Sequence, residues 1–304
     1  MRRLVFILSW ALLLFGCQSR KTNTTLNIPA DFDWQGHRGA RGLLPENTIP
    51  AFLKALAYPV RTLELDLAVS KDSQLVLSHE PWMSAVICSK PDKTPLTEAA
   101  AASLAIWGMT YAEVAQYDCG SRGNPRFPDQ QAMVVHKPLL QDMVAAVEAH
   151  CKANRLKPPF YNIEIKSRPE WDNHYTPTPE SFAQLLIEAL QALGIQERSC
   201  IQSFDVRALQ AVHQMDSALV TALLVENTDN LAQNLERLGF VPTIYSPYHA
   251  LVNAQLVKQT HDKGMRIIPW TVNDLPTMRS LIQLGVDGII TDYPNLIEKM
   301  GEKK

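Results

Sequence analysis

Short apolar runs alternate, from residue 33 onward, with stretches whose apolar residues recur every three to four positions. The runs are Asp33–His37, Thr62–Leu67, Tyr161–Ile165, Cys200–Gln202, Ala218–Val225, Thr243–Ser246, Arg266–Trp270 and Gly288–Thr291. Each is short enough to be a buried strand. Helical periodicity occupies Leu139–Ala153, Glu180–Leu193, Asp205–Gln214, Asn230–Leu238, Val252–Lys263 and Leu275–Leu284. Pro138 stands where a helix can begin, and Gly194, Gly239, Gly264 and Gly285 stand just past helix ends. Such alternation predicts an α/β fold with a parallel sheet, and eight strands favour a closed (β/α)8 TIM barrel over an open sheet. No glycine-rich dinucleotide fingerprint or P-loop follows any of the strands.

One connection breaks the rhythm. From about residue 80 to 137 there is no βα unit, only an alanine-rich helical piece (Thr97–Ile106) and a turn-rich piece (Ser121–Pro128). Structureless loops of that length are uncommon inside compact domains. The segment is therefore expected to be a small inserted subdomain after strand two, at the barrel mouth, with the barrel as a whole spanning 33–300.

The amino terminus reads differently. Arg2 and Arg3 precede an apolar run from Leu4 to Phe15, twelve residues long. A membrane-spanning helix needs about 20 residues, whereas a signal-peptide core needs fewer. The run ends in Leu14-Phe15-Gly16-Cys17, similar to a bacterial lipoprotein cleavage box, although Phe15 is bulkier than the usual residue there. Residues 1–17 are thus expected to be a lipoprotein signal peptide with Cys17 the lipidated residue, and 18–32 a polar tether. Export would leave the protein membrane-anchored in the cell envelope, facing the periplasm or exterior. It also makes disulfides permissible. Cys88, Cys119, Cys151 and Cys200 match no zinc spacing and allow three full pairings. A bridge between Cys88 and Cys119, both in the insertion, is the pairing expected to matter. The formal net charge of −2 argues against general binding to nucleic acid.

Chemistry concentrates at strand ends, where barrels of this type place their working residues. Gly36-His37-Arg38-Gly39 puts a proton carrier beside a phosphate-binding fork. In Thr62-Leu63-Glu64-Leu65-Asp66-Leu67 the leucines share one face and the carboxylates the other. The leucines suit the outer helices, which sends Glu64 and Asp66 inward. Asn162-Ile163-Glu164-Ile165-Lys166 repeats the pattern. Buried carboxylates without neutralisation are costly. Glu64, Asp66 and Glu164 together make a hard oxygen site suited to Mg²⁺ or Ca²⁺ rather than zinc, with an internal salt bridge as the structural alternative. Ser78-His79-Glu80 supplies a second histidine.

These motifs resemble the glycerophosphodiester phosphodiesterase family. The resemblance runs through His37-Arg38-Gly39, Pro45-Glu46-Asn47-Thr48 with Ala51-Phe52, Glu64-Leu65-Asp66, and His79 before Glu80-Pro81. It continues through Glu164-Ile165-Lys166, Gln202-Ser203-Phe204, Trp270-Thr271-Val272-Asn273 and Asp287-Gly288-Ile289-Ile290-Thr291-Asp292. Each motif alone is weak; their order over about Trp34–Ile297 is specific. The resemblance implies that Glu64, Asp66 and Glu164 hold a divalent cation and that His37 and His79 are the acid–base pair. It implies that Arg38 contacts phosphate, with Lys166 a further phosphate contact and Trp270 a wall against glycerol. Glu46 is either a residue supporting the site or an acidic residue at a helix start, where Asn47 is a candidate cap. The implied reaction converts a glycerophosphodiester to glycerol 3-phosphate and an alcohol. Two alternatives remain at this point: lysophospholipase-D-type hydrolysis, favoured by an apolar rim around Trp82, Met83 and Trp107, and a non-catalytic glycerophosphodiester-binding lipoprotein.

Overall fold

In the structure, a computed structural model that describes residues 28–300, nine strands form one sheet. They are β1 (Asp33–His37), β2 (Thr62–Val69), β3 (Leu75–Leu77), β4 (Phe160–Ile165), β5 (Ser199–Ser203), β6 (Val220–Val225), β7 (Ile244–Pro247), β8 (Arg266–Ile267) and β9 (Gly288–Thr291). Eight run parallel in the order β8-β7-β6-β5-β4-β2-β1-β9, and β3 folds back antiparallel on β2. Backbone bonds from Asp287 to Ile267 (2.9 Å) and from Ile290 to Pro269 (3.0 Å) span the seam between β8 and β9. The expected barrel is thus present and nearly closed. Around and above it lie α1 (Ile49–Ala55), α2 (Glu98–Ala102), α3 (Tyr111–Val114), α4 (Leu140–Asn154), α5 (Pro179–Ala192), α6 (Val206–Met215), α7 (Leu231–Leu238), α8 (Ala254–Asp262) and α9 (Leu275–Leu284).

The alternation in β2 and β4 sorts their residues as anticipated. Leu63, Leu65, Leu67, Tyr161, Ile163 and Ile165 bury themselves in one cluster with Met143, Val147, Phe182 and Leu186 of α4 and α5. Removing these faces from water is the dominant stabilising contribution to this half of the barrel. The opposite faces turn inward, where the interior is divided. On one side Ala222, Ile244, Ile268 and Ile290 pack together. On the other, Asn162 donates to Gln35 (2.8 Å) and to Gln202 (2.9 Å), and Gln202 donates to Glu64 (2.7 Å). Buried amides hold their places only when hydrogen-bonded, so this chain stiffens the floor under the carboxylates.

Three expectations need correction. The seventh barrel strand ends at Ile267 rather than Trp270, because Pro269 has no N–H to offer a ladder. The cap of α1 is Thr48, whose hydroxyl accepts from the Ala51 N–H at 3.4 Å; Asn47 is not the cap. The ordered body starts before residue 33, since Ile28 and Phe32 already pack with Trp34 against the barrel. Residues 1–17, Cys17 and most of the tether lie outside the described residues. Among the described residues no helix is long and apolar enough to cross a membrane.

The insertion is a folded unit with a core of its own, in which Met83, Ile87, Leu96, Ile106 and Val114 surround a Cys88–Cys119 disulfide. Met83 is fully buried there and Trp107 packs toward the main core, so these two do not form an apolar rim at the mouth. The bridge closes a loop with a sequence separation of 31. Cys88→Ser should therefore lower the unfolding free energy by about 2–4 kcal/mol. Chemical denaturation with and without reductant checks this: equal midpoints for oxidised wild type and the variant would show that the bridge contributes nothing.

Candidate active site

The site is assembled at the carboxyl ends of β1, β2, β4, β5 and β9, where the register aligns what the sequence separates. His37 lies beside Glu64, Asp66 beside Glu164, and Glu164 beside Gln202. A cavity of about 220 Å³ opens there, lined by His37, Arg38, Glu64, His79, Glu164, Lys166 and Trp270, among others. Seven of the eight residues singled out for substrate, acid–base or metal roles thus share one pocket. The eighth, Asp66, joins them through the carboxylate cluster: ligand oxygens of Glu64, Asp66 and Glu164 all lie within 4.8 Å of one another.

Backbone strain helps to build this arrangement. Gly36 has no room for a side chain, since a Cβ would meet the Gly39 carbonyl oxygen at 2.6 Å. Arg38 takes a positive φ of 49°, unusual for a residue other than glycine and costing on the order of 1–2 kcal/mol. In return its N–H donates to Glu64 Oε2 (2.9 Å), and its carbonyl accepts from Asn47 N (3.1 Å). Asn47, also at positive φ (54°), donates its amide to Asp66 Oδ2 at 2.8 Å and accepts from the Asp66 N–H at 3.2 Å. The motif after His37 is therefore the clamp that orients two of the three carboxylates.

The cluster is electrostatically incomplete by itself. Burial, then the neighbouring Asp66 charge, raises Glu64 well above the usual carboxylate range. Burial pushes Glu164 up to about 7, outweighing the pull of Lys166. Burial also opposes ionisation of Asp66, but Arg38 and Lys166 overcome it and hold that group low. Lys166 contacts Glu164 at 3.0 Å and Asp66 at 3.4 Å, and Asp66 Oδ1 still accepts no hydrogen bond although it is buried. A buried oxygen that accepts no hydrogen bond and is met only by the Lys166 ammonium at 3.4 Å, amid three converging carboxylates, fits a hard divalent cation. Because Glu164 carries its proton below about pH 7, a cation binding there must displace that proton. Glu64, raised as well, adds a second proton to displace, so cation affinity should fall by at least about tenfold per pH unit below 7. Calorimetric titrations with Mg²⁺ and Ca²⁺ at pH 5.5, 6.5 and 8 test this, and a pH-independent dissociation constant would contradict it.

Each histidine is backed by a carboxylate. His37 Nδ1 lies 2.7 Å from Asp292 Oδ1, and His79 Nδ1 lies 2.8 Å from Glu80 Oε1. Burial opposes ionisation of Asp292, but His37 and Arg41 hold it far below the ordinary range. A permanent carboxylate can only accept, so His37 donates from Nδ1 and turns the Nε2 lone pair toward the cavity. Burial, then Arg41, lowers His37 to about 4 against the opposing pull of Asp292, so the ring is neutral near pH 7. His79 is lowered as well, by burial and then by Arg38 and Lys166.

The profile of the glycerophosphoryl diester phosphodiesterase family matches residues 37–296. The chain belongs to this family. A glycerophosphodiester phosphodiesterase of Bacillus subtilis is 28% identical over 316 aligned positions, covering 97% of this chain and 96% of that one. One from Caldanaerobacter subterraneus is 28% identical over 273, covering 87% and 97%. Among solved structures, a candidate family enzyme from Silicibacter pomeroyi aligns at TM-score 0.80 and 28% identity, over 91% of this chain and 95% of its own. An Oleispira antarctica phosphodiesterase in complex with the product sn-glycerol-3-phosphate aligns at TM-score 0.69 and 20% identity, over 88% and 96%.

Within this family site, the structure gives several further residues their partners. Arg41 is gripped by Asp292, donating from Nε at 2.7 Å and from Nη2 at 3.0 Å, while Asn273 donates to the same carboxylate at 2.7 Å. Glu46 accepts from Arg38 Nη1 at 2.7 Å, which resolves its ambiguity in favour of supporting the site. Gln202 holds Glu64. Lys137, buried at the insertion's end, faces Glu80 and Glu46, and its burial lowers its pKa. Trp270 donates from its indole to the Ser246 carbonyl at 2.8 Å and meets Phe204 edge-on at 5.4 Å, forming one wall. The Asp292 motif was visible in sequence; its contact with a histidine 255 positions away was not.

Proposed function

We propose that this protein hydrolyses glycerophosphodiesters to glycerol 3-phosphate and an alcohol, using the pocket at the barrel mouth. The observation that carries this reading is the convergence in one cavity of two carboxylate-backed histidines, a three-carboxylate cluster and phosphate-binding cations. A divalent cation such as Mg²⁺ or Ca²⁺ on Glu64, Asp66 and Glu164 would supply Lewis-acid charge at the phosphoryl oxygens. Arg38 and Lys166 orient the phosphate and offset the charge that develops on it. A neutral histidine Nε2, for which His37 is suited, takes the proton of the attacking group, which is water or the glycerol 2-hydroxyl, the cyclic phosphate formed by the latter then being opened by water; the other histidine protonates the leaving alkoxide. Trp270 walls off the glycerol side. Release of glycerol 3-phosphate from glycerophosphoethanolamine, glycerophosphocholine and glycerophosphoglycerol, with and without chelator, tests the reading. No turnover of any of them by metal-loaded protein would refute it.

Of the rim expected for the lysophospholipid alternative, Met83 is buried in the insertion's core and Trp107 packs toward the main core, while half-buried Trp82 packs against Trp171 and Tyr175. The same reading extends to the amino terminus: cleavage before Cys17 and its acylation would anchor the enzyme to a membrane of the cell envelope. Two or more acyl chains anchor stably where one does not. Cys17→Ser should therefore move the protein from the membrane to the soluble fraction, or stall its processing, with kcat unchanged. Mass spectrometry showing an unmodified mature terminus downstream of Cys17 would end this part of the proposal.

A further inference from the structure

The insertion delivers to the pocket a cation that the reaction above does not use. Arg126 lines the same cavity as His37, His79 and Glu164, although it comes from a turn about 90 residues along the chain from His37. Its position is fixed by its neighbours. Phe127 is buried beneath the Arg41 guanidinium, 4.7 Å from its ring centroid, and meets the Tyr293 ring at 6.3 Å. Gln130 donates to the Arg41 carbonyl (2.7 Å), and the Gln131 N–H donates to the Leu43 carbonyl (2.8 Å). At the near end, Asp118 accepts the N–H groups of Gly120 and Ser121 (both 3.1 Å), next to the disulfide at Cys119. The turn is tied to the barrel on one side and to the insertion's core on the other.

Charge shows what Arg126 is for. Six carboxylates are linked around the cavity: Glu46, Glu64, Asp66, Glu80, Glu164 and Asp292. Four cations answer them: Arg38, Arg41, Lys137 and Lys166. With the carboxylates ionised, as metal binding requires, a divalent cation on the cluster brings this set to neutrality. Arg38, Arg41 and Lys166 are each committed to carboxylates, whereas Arg126 forms no ion pair among the described residues. Its guanidinium lies 5.8 Å from the centroid of the Phe127 ring. One uncompensated positive charge therefore faces a pocket whose substrate, a phosphodiester, carries one negative charge.

We infer that Arg126 is the substrate-recognition residue contributed by the insertion, its guanidinium binding a non-bridging oxygen of the diester on the side away from the carboxylate cluster. The inference rests on the proposed reaction and adds a source of affinity to it: Arg38 and Lys166 position the phosphate, and Arg126 supplies the net attraction. Because the group is exposed, its effect is moderate and sensitive to salt.

Arg126→Gln should raise KM about tenfold with kcat within about twofold of wild type, the signature of lost uniform binding. Calorimetric titration of the metal-loaded protein with sn-glycerol 3-phosphate should show a parallel weakening, and KM should become less dependent on ionic strength than in wild type. Arg126→Lys keeps the charge and should retain most of the affinity, separating loss of charge from disturbance of the turn. Unchanged KM and unchanged product affinity in Arg126→Gln would overturn the assignment. Wild-type protein inactive on every glycerophosphodiester would instead overturn the reaction itself, so the two failures are distinguishable.

Discussion

Asp66→Asn should lower kcat/KM by about 10³-fold or more, the loss expected when the cation that offsets phosphoryl charge is no longer held. Asp66 is the member of the cluster with the most at stake. It contacts Arg38 Nε at 3.0 Å and Lys166 at 3.4 Å, accepts from Asn47, and presents the oxygen that accepts no hydrogen bond. The substitution leaves both cations with a carboxylate, since Arg38 keeps Glu46 and Lys166 keeps Glu164. The fold should therefore survive, as circular dichroism and a cooperative thermal transition would show. Wild-type protein should gain stability on adding Mg²⁺ or Ca²⁺, about 2.7 kcal/mol at a hundred times the dissociation constant. The variant should gain almost none. Undiminished activity in the variant, or in wild type stripped of metal to a verified trace, would remove the cation from the mechanism.

His37→Ala and His79→Ala should each reduce kcat by about 10²–10⁴-fold while KM changes little, because proton transfer is felt in the transition state alone. The two differ in their surroundings, which makes the comparison informative. His37 is buried and tied to Asp292, which four side-chain donor contacts from His37, Arg41 and Asn273 hold in place. His79 is about one-third exposed and tied to Glu80. Asp292→Asn should lower kcat in the same direction as His37→Ala and by less, since the ring stays in place while its tautomer is no longer enforced. Near wild-type kcat in either histidine variant would reassign that residue to a structural role. An Asp292→Asn effect confined to KM would break the link between Asp292 and His37.

Period-two alternation carried much of the site into view. In β2 and β4 a leucine or isoleucine face can only pack on helices, so Glu64, Asp66 and Glu164 had to point into the barrel, and there they do converge. Position along the chain also pointed to the Cys88–Cys119 bridge, because both thiols fall in the insertion, although that segment proves to have a core of its own. Short-range signals gave less where two readings competed. Asn47 looked like a cap because asparagine commonly is one, yet its side chain serves Asp66 while Thr48 caps α1. Pro269 cut a strand that apolar content alone would have continued.

Residue type and spacing favoured the barrel and turned the carboxylates inward, since strand and helix periods depend on neighbours a few positions apart, and the family resemblance paired the two histidines. Tertiary structure alone decided what those groups would be worth. Asp292 reaches His37, Gln202 reaches Glu64, and Arg126 reaches the cavity, across sequence separations of 255, 138 and roughly 90 residues. No period connects such positions. They meet because closure of the sheet sets β9 beside β1, and because the insertion docks over the mouth through Phe127 and Gln130. A histidine's tautomer, a carboxylate's charge and a free arginine's purpose depend on those meetings, because electrostatic effects follow distance and burial rather than order along the chain.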